Sequence, residues 1–272
     1  MTVRAPAKLN LCLYLGPTRD DGLHELCSVF APLSLADHLL VEPAEHDEVL
    51  CPGIEGTNLA ERALTGLREL GWDHRPVRIT ITKRIPVAAG LGGGSADAAA
   101  VLRLASELEG REELAERLGA DVRSQLDPQP ALVRGAGEVV APLPAQAPWA
   151  AVLVPSAHGL STADVYREAD RLGVARSSAE LDAVAETLDE RAERFNPLGE
   201  AALLVNDLQP AALSLRPEIA DALGALDDAG ATLSRVTGSG PTAFGLLADL
   251  PAADAAAARI DPAFDPIVVV PA

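Results

Sequence analysis

The residues best suited to chemistry stand in one short stretch, PVAAGLGGGSA, at positions 86–96. Its four glycines permit positive backbone φ angles and allow a ligand to approach the main chain closely. If a helix follows, the unsatisfied N–H groups of its first turn favour an anion in the same space. The stretch therefore predicts a phosphate cradle, with a flexible turn between two elements as the alternative.

Two better-known phosphate loops do not fit these letters. The P-loop pattern G-x-x-x-x-G-K-[ST] is absent from the chain. The dinucleotide pattern G-x-G-x-x-G fails because Ser95 stands where its third glycine would be. The cradle must therefore belong to a third kind of phosphate-binding loop.

The elements on either side of the glycine stretch can be read from hydrophobic spacing. Val77, Ile79 and Ile81 alternate with polar residues, which predicts a half-buried strand over 77–84. After the glycines, apolar residues recur at helical spacing, and Ser95 is a natural N-cap for that helix. The predicted order is strand, glycine loop, helix.

Three isolated side chains have types suited to acid–base or binding chemistry. Lys8 is one of two lysines among 22 basic residues, and its compact ammonium differs from the planar fork of arginine. Asp121 follows a predicted short helix that ends near Gly119, and His24 follows a turn at 20–22. The ordinary alternatives are an exposed strand-edge charge, a surface loop acid and a structural histidine, respectively.

Composition restricts the classes of function. The chain has 272 residues, of which 48% are hydrophobic, enough for one large or two modest domains. Its net charge is −18, and an acidic surface argues against nucleic acid as a partner, because phosphate backbones need basic patches. A small phosphorylated ligand stays compatible, since it needs only local positive groups.

Cysteine usage and the N-terminal residues predict where the chain works. Cys12, Cys27 and Cys51 lack metal-ligand spacing, which favours reduced thiols in a cytoplasmic protein. The N-terminal segment is too polar for a signal peptide, and no apolar run reaches membrane-spanning length, so we expect no membrane partner. The composition is compatible with either a monomer or a homodimer.

A cluster of prolines near the middle of the chain marks the best domain boundary. It predicts one domain over 1–146 and a second over 147–272. The second half shows four short strand patterns with helices between them, which indicates an α+β arrangement.

A resemblance to a known family rests on motifs that follow one another along nearly the whole chain. They are APAKLNL (5–11), DGLHEL (21–26), TNL (57–59), IPVAAGLGGGSADAA (85–99), LGADV (118–122), GLSTADVY (159–166), NDLQPAAL (206–213) and TGSGPTAFGLL (237–247). With these motifs the chain resembles the GHMP kinases, which phosphorylate small molecules with ATP. Within them it is most similar to the branch whose substrate is a cytidine diphosphate-linked methylerythritol of the non-mevalonate (MEP) isoprenoid pathway.

The resemblance implies a fold and a reaction. The fold would be the α+β GHMP kinase fold, with an N-terminal domain like domain 2 of ribosomal protein S5 and a ferredoxin-like C-terminal domain. The active site would lie in the cleft between them. With ATP and Mg²⁺, the enzyme would phosphorylate the 2-hydroxyl of the cytidine-linked substrate and release ADP.

The resemblance also implies which residues bind ATP. The triphosphate would lie against the glycine stretch, and Ser95 would hydrogen-bond a phosphate or help to hold Mg²⁺. The segment near Lys83 is a further candidate for the adenine pocket. The implied ATP-binding residues are Pro86, Val87, Ala88, Ala89, Gly90, Leu91, Gly92, Gly93, Gly94, Ser95 and Ala96, together with Asn58.

Catalysis and substrate binding would fall to residues of the other motifs. Asp121 would accept the proton of the attacking hydroxyl. Lys8 would lie beside Asp121, keep it ionised and stabilise charge in the transition state. The second-domain loop at 238–240 would close the cleft, and His24 would read the cytosine edge. The implied substrate-binding residues are Asn10, His24, Tyr166, Gly238, Ser239 and Gly240.

Two positions depart from the family pattern. Leu23 stands where the family usually has an aromatic residue that stacks on cytosine, so Tyr166 would cover one face of the base alone. The segment 123–130, RSQLDPQP, replaces a proline and aromatic residues, so either Arg123 adds a positive group or the pocket is remodelled. The alternatives are a GHMP kinase for another alcohol, such as mevalonate or homoserine, and a catalytically silent nucleotide-binding member.

Overall fold

The structure, a computed structural model, describes residues 1–54, 56, 58–144, 147–156 and 158–272. Within them the chain is α+β, as predicted. The strands are β1 (Thr2–Thr18), β2 (His24–Pro43), β3 (Glu48–Leu50), β4 (Val77–Thr82), β5 (Ala131–Gly135), β6 (Val139–Pro142), β7 (Ala150–Val154), β8 (Leu233–Val236), β9 (Ala243–Leu247) and β10 (Ile267–Val269). The α-helices are α1 (Leu59–Glu69), α2 (Gly93–Leu102), α3 (Arg111–Leu118), α4 (Ala120–Ser124), α5 (Thr162–Leu172), α6 (Ser178–Arg191), α7 (Gln209–Leu215), α8 (Ile219–Asp228) and α9 (Leu250–Ala257).

Contacts between residues divide the chain into two compact units whose segments interleave. The first contains Met1–Ala7, Leu35–Pro86 and Gly92–Pro128, and the second contains Lys8–Ser34, Val87–Leu91 and Gln129–Ala272. The glycine stretch is therefore divided, with Val87–Leu91 in the second unit and both Pro86 and residues 92–96 in the first. The division into domains at residues 146 and 147 stays a prediction, and residue 146 lies outside the described residues.

Among the described residues, hydrogen bonds join six strands in one sheet, in the order β3-β4-β2-β5-β6, with β1 also paired to β2. Hydrophobic alternation predicts two separate strands, at 28–35 and 38–42. The structure instead has the single strand β2, because different parts of it pair with different neighbours. Residues 26–30 of β2 pair antiparallel with β5, and residues 38–43 pair antiparallel with β4.

In the first unit, α1 and α2 share one apolar core with β4. Ile79 and Ile81 of β4 are buried in it together with Leu67 of α1. Every residue of α2 from Ala96 to Leu102 is buried, and most of them are alanines. Small side chains let neighbouring elements approach α2 closely, so packing fixes where this helix begins.

The second unit contains a four-stranded antiparallel sheet in the order β10-β7-β9-β8, which confirms the four strands predicted for the second half. Its core includes Val152 of β7, Leu226 of α8 and Ala253 of α9. A separate apolar cluster packs β1 against α5, in which Leu13 meets Val165.

None of the helices in the described part of the chain is both long enough and apolar enough to cross a lipid bilayer.

Candidate active site

The glycine stretch has the backbone conformations that a phosphate cradle needs. Gly90 has φ 76° and Gly92 has φ 69°, both in the left-handed region that side chains disfavour. Gly92 is the N-cap of α2, and no side chain caps that helix. The N–H groups of the first turn of a helix favour an anion, and the binding of the triphosphate of ATP at this turn stays a prediction.

Ser95 is not the N-cap of this helix, contrary to the prediction from its type. It is the third residue of α2, which begins at Gly93. Glycine at position 92 can take the left-handed conformation, so the helix starts earlier than a serine cap would allow. The hydroxyl of Ser95 lies in the first turn, and its contact with a phosphate or with Mg²⁺ stays a prediction.

Close packing explains a second glycine. A Cβ added to Gly93 would lie 3.1 Å from Cγ2 of Ile85 and 3.3 Å from Nζ of Lys83. Behind the loop, Nε2 of Gln125 donates to the carbonyl of Gly92 at 3.1 Å, and Nη1 of Arg103 donates to the carbonyl of Gln125 at 2.7 Å. These contacts, all within the first unit, hold the start of α2 in place.

A buried ion cluster lies beside the same turn. Nζ of Lys83 donates to Oδ2 of Asp37 and, at 2.8 Å, to Oδ2 of Asp97 in α2. Oδ1 of Asp37 accepts from the backbone N–H groups of Arg84 at 2.5 Å and Ile85 at 2.9 Å. Burial, opposed by Lys83 and assisted by nearby Asp37, raises the pKa of Asp97 to about 7. The cluster joins Asp37 of β2 and Lys83, the residue after β4, to Asp97 in the first half of α2.

Two other predicted residues belong to the first unit. Asn58 is the N-cap of α1, and its Oδ1 accepts from the N–H of Glu61 at 2.9 Å, which leaves Nδ2 able to donate. Asp121 lies in the first turn of the short helix α4, where its own carbonyl accepts from Oγ of Ser124 at 3.0 Å. Thr57 of the TNL motif lies outside the described residues.

In the atypical segment after Asp121, the positive charge of Arg123 is paired with acidic side chains. Nη2 of Arg123 lies 2.7 Å from Oε2 of Glu112, and its Nε lies 3.7 Å from Oε1 of Glu116. Both acids belong to α3. Of the two readings of this segment, the extra positive group is therefore the weaker one.

In the second unit, the beginning of the glycine stretch packs on the loop at 238–240. A Cβ on Gly90 would lie 2.6 Å from the carbonyl oxygen of Gly240, so this position requires glycine. Nδ2 of Asn206 donates to the carbonyls of Val236 at 2.7 Å and Gly238 at 2.8 Å. Oγ of Ser239 lies 3.0 Å from Oγ1 of Thr162. The NDLQPAAL motif thus shapes the loop through its asparagine.

Lys8 and Asn10 form one hydrogen-bonded chain in the second unit. Nζ of Lys8, a residue only 6% exposed, donates to Oδ1 of Asn10 at 2.6 Å and lies 4.7 Å from the ring centroid of Phe30. Nδ2 of Asn10 donates to Oγ of Ser28 at 2.9 Å, and its backbone N–H donates to Oγ1 of Thr237 at 3.0 Å. Asn10 therefore orients the ammonium of Lys8 and also joins β1 to the residue before Gly238.

His24 lies at the start of β2, and its ring contacts that of Tyr166. Their ring centroids are 5.1 Å apart, with the planes tilted by 50°. Nε2 of His24 lies 2.7 Å from Oδ1 of Asp170, and Leu23 beside it is 54% exposed. The contact of Leu23 and Tyr166 with a base stays a prediction.

The structure thus brings predicted residues together within each unit. The first unit holds Gly92 to Ala96, Asn58 and Asp121, and the second holds Lys8, Asn10, His24, Tyr166 and the loop at 238–240. The sequence analysis assigned no role to the residues that support them, although Asp97 and Asn206 lie within the motifs IPVAAGLGGGSADAA and NDLQPAAL. These supporting residues are Asp37, Asp97, Gln125, Asp170 and Asn206.

Among the described residues, no group of three or more His, Cys, Asp or Glu side chains is arranged to hold a metal ion. In the first unit, both carboxylates nearest the loop are bound to Lys83. The binding of Mg²⁺ beside the glycine stretch stays a prediction.

Comparison with protein families gives two matches. A family described as GHMP kinases N terminal domain matches residues 58–135, and one described as GHMP kinases C terminal matches residues 181–265.

Full-length relatives are more specific. The chain is 41% identical over 274 residues to a 4-diphosphocytidyl-2-C-methyl-D-erythritol kinase of Kineococcus radiotolerans, covering 93% of this chain and 83% of that one. It is 42% identical over 268 residues to the enzyme of that name from Streptomyces coelicolor, covering 92% of this chain and 88% of the other.

Solved structures agree in fold. The crystal structure of a 4-(cytidine 5'-diphospho)-2C-methyl-D-erythritol kinase superposes over 100% of both chains, with a TM-score of 0.79 and 34% identity. A homoserine kinase from Cytophaga hutchinsonii superposes with a TM-score of 0.70 over 100% of this chain and 94% of that one, at 19% identity, which shows a shared fold alone.

Proposed function

Because this chain belongs to the GHMP kinases, and among them to the 4-diphosphocytidyl-2-C-methyl-D-erythritol kinase family, we propose that it phosphorylates the 2-hydroxyl of that cytidine-linked alcohol. The oxygen–phosphorus bond to the alcohol forms as the bond between the γ-phosphorus and ADP breaks. The observation that carries the proposal is full-length similarity to relatives of this name, with the motif residues in place. The reaction belongs to the MEP pathway of isoprenoid precursors, and we place it in the cytoplasm.

ATP binding is proposed at the glycine stretch. The uncapped first turn of α2 and the left-handed glycines Gly90 and Gly92 support a triphosphate there, because backbone N–H groups can point at its oxygens. Mg²⁺ bound to the phosphates would neutralise their charge, and Ser95 would help to hold it. Asn58 would contact the adenine with its amide nitrogen.

Asp121 acts as the general base in this proposal. Its carboxylate takes the proton from the attacking hydroxyl, so the nucleophile becomes more alkoxide-like as the new bond forms. Lys8 offers a positive charge that is held by an amide and a ring and that stabilises the transferring group. Phosphoryl transfer depends mainly on such positioning and charge neutralisation.

Substrate recognition is proposed to use residues of the second unit. His24 would hydrogen-bond the cytosine edge, and Tyr166 would contact one face of the base. Asn10 would orient the polyol together with Lys8, and the loop at 238–240 would contact the substrate. The observed pairing of the His24 and Tyr166 rings supports a common role for them.

One experiment tests the proposal directly. Purified protein is given ATP, Mg²⁺ and, in separate reactions, the cytidine-linked methylerythritol, mevalonate or homoserine, and ADP release is measured. We expect turnover of the cytidine-linked alcohol with a kcat/KM at least a hundredfold above the others. A preference for another alcohol would assign the chain a different substrate, and nucleotide binding without turnover would indicate a silent member.

A further inference from the structure

The ring of His24 contacts a carboxylate that the proposed reaction does not use. Nε2 of His24 lies 2.7 Å from Oδ1 of Asp170 and 3.1 Å from Oγ1 of Thr18. The His24 side chain is only 6% exposed, whereas that of Asp170 is half exposed. A carboxylate beside a buried imidazole fixes the orientation of the ring and the position of its proton.

Helix α5 holds the carboxylate of Asp170 next to His24. Asp170 is four residues after Tyr166 on α5, so both side chains lie on one face of the helix, and both meet His24. The helix itself is anchored, because Ser161 caps its first turn and Val165 packs in a buried cluster with Leu13 of β1. The contact between Asp170 and His24 therefore joins two well-fixed elements.

The chemistry of the contact selects one form of the imidazole. An ionised carboxylate can only accept, so a neutral His24 must carry its proton on Nε2 and donate it to Asp170. Nδ1 is then an acceptor. Among pyrimidine bases, an acceptor suits cytosine, which has an amino group at position 4, and it repels uracil, which has a carbonyl oxygen there.

We propose that Asp170 is a specificity-determining positioning residue, which holds His24 in the Nε2–H tautomer and thereby makes the site select cytosine over uracil. The proposal rests on the proposed function, in which His24 contacts the base. Asp170 acts through His24 and touches neither reacting atom.

The first test reads the tautomer itself. Long-range ¹⁵N–¹H spectra of protein labelled with ¹⁵N-histidine are recorded at pH 8.5, about two units above the ordinary pKa of histidine, and His24 is assigned by its absence in His24→Gln. We expect the Nε2–H tautomer in the wild type and a mixture in Asp170→Ala. Asp170→Asn, whose amide oxygen still accepts, should stay mostly Nε2–H. Asp164→Ala is the matched control, because this acid of α5 pairs with Arg167 instead.

The second test reads base selection without turnover. Calorimetry gives the Kd of cytidine diphosphate and of uridine diphosphate for each variant. The wild type should prefer cytidine diphosphate, and Asp170→Ala should reduce that preference about three- to tenfold, the worth of one hydrogen bond. Asp170→Asn should keep most of the preference, and Asp164→Ala should keep all of it.

Clear results would overturn the inference. It fails if Asp170→Ala retains the Nε2–H tautomer, if the base preference is the same with and without the carboxylate, or if the wild type has no preference for cytosine. Because neither measurement needs catalysis, a protein that selects cytidine diphosphate but phosphorylates nothing would refute the proposed function alone.

Discussion

The two lysines of the chain contact different kinds of side chain. Lys83, in the first unit, donates to two carboxylates, Asp37 and Asp97. Lys8, in the second unit, donates to the amide oxygen of Asn10 and lies over the ring of Phe30. Two carboxylates overcompensate the single ammonium of Lys83, whereas an amide oxygen and a ring orient the ammonium of Lys8.

This difference favours a structural role for Lys83, as distinct from the catalytic role proposed for Lys8. Burial disfavours a charged lysine, but Asp97 and Asp37 more than offset it, so the pKa of Lys83 is raised and its charge is committed to the protein. We infer that Lys83 is a structural cation that ties α2 to β2 and β4. Lys8 is oriented by Asn10 and Phe30, and its role in catalysis stays a proposal.

The largest effect is expected at the proposed base and its cation. Asp121→Asn keeps the shape of the side chain but cannot take a proton, so kcat should fall by about two to four powers of ten. The KM for ATP should change little, because Asp121 does not hold the nucleotide. Lys8→Ala should also lose kcat, since the transition state loses a cation. Single-turnover rates check both, and near-normal chemistry in Asp121→Asn would refute the base assignment.

The double variant sharpens this prediction. If Asp121 and Lys8 serve the same transition state, Lys8→Ala combined with Asp121→Asn should be scarcely slower than the poorer single variant. Losses that multiply would show independent roles, and the assignment of Lys8 as the charge partner of Asp121 would then be wrong.

The next effect separates the lysines by stability. Lys83→Met keeps the aliphatic stem but leaves Asp37 and Asp97 buried without their cation, so the free energy of unfolding should fall by about 3–5 kcal/mol. Lys8→Met should lose kcat with a much smaller change in stability. Urea unfolding at pH 8 measures both. Equal destabilisation by the two substitutions would remove the contrast between a structural and a catalytic lysine.

Local patterns predicted much of the framework around these lysines. The strand, glycine loop and helix are present in the predicted order. The sequence also predicts a helix that is capped by Ser161 or Thr162 and runs to Leu172, and α5 has Ser161 as its N-cap and ends at Leu172. Such features depend on neighbouring residues, so one sequence suffices to find them. The prediction of Ser95 as the N-cap of α2 was wrong, because the helix can begin at several positions in a run of glycines. Which of them it begins at depends on how the buried helix packs.

Contacts between distant residues could not be predicted in this way. Lys83 meets Asp37 across 46 positions, and Asn206 holds Gly238 across 32. No local spacing encodes such pairs, since they depend on which strands become neighbours. The family resemblance suggested roles for Lys8 and His24, yet it did not indicate that Asp170 meets His24 across 146 positions.

A smaller effect is expected when each lysine becomes arginine. Lys83→Arg should retain most of the stability that Lys83→Met loses, with a residual loss of about 1–2 kcal/mol, because a guanidinium can also pair with two carboxylates. Lys8→Arg should not restore kcat. Lys8 is only 6% exposed, and a planar fork cannot take the place of a compact ammonium there. Recovery of kcat in Lys8→Arg would show that any positive charge suffices there.

The smallest effect concerns the excess negative charge at Lys83 and depends on pH. Because burial raises the pKa of Asp97 to about 7 from its ordinary value of 3.8, the folded state holds this proton more tightly than the unfolded state does. The contribution of Asp97 to stability should therefore fall as pH rises from about 4 to 7 and stay level above that.

Asp97→Asn mimics the protonated acid, since its amide can donate to Asp37 and its oxygen can accept from Lys83. Relative to the wild type, its free energy of unfolding should increase between pH 5 and pH 8 by roughly 1–3 kcal/mol, as urea titrations at each pH would measure. An Asp97→Asn difference that is constant over this range, or that decreases, would mean that Lys83 compensates both carboxylates fully and that the cluster carries no excess charge.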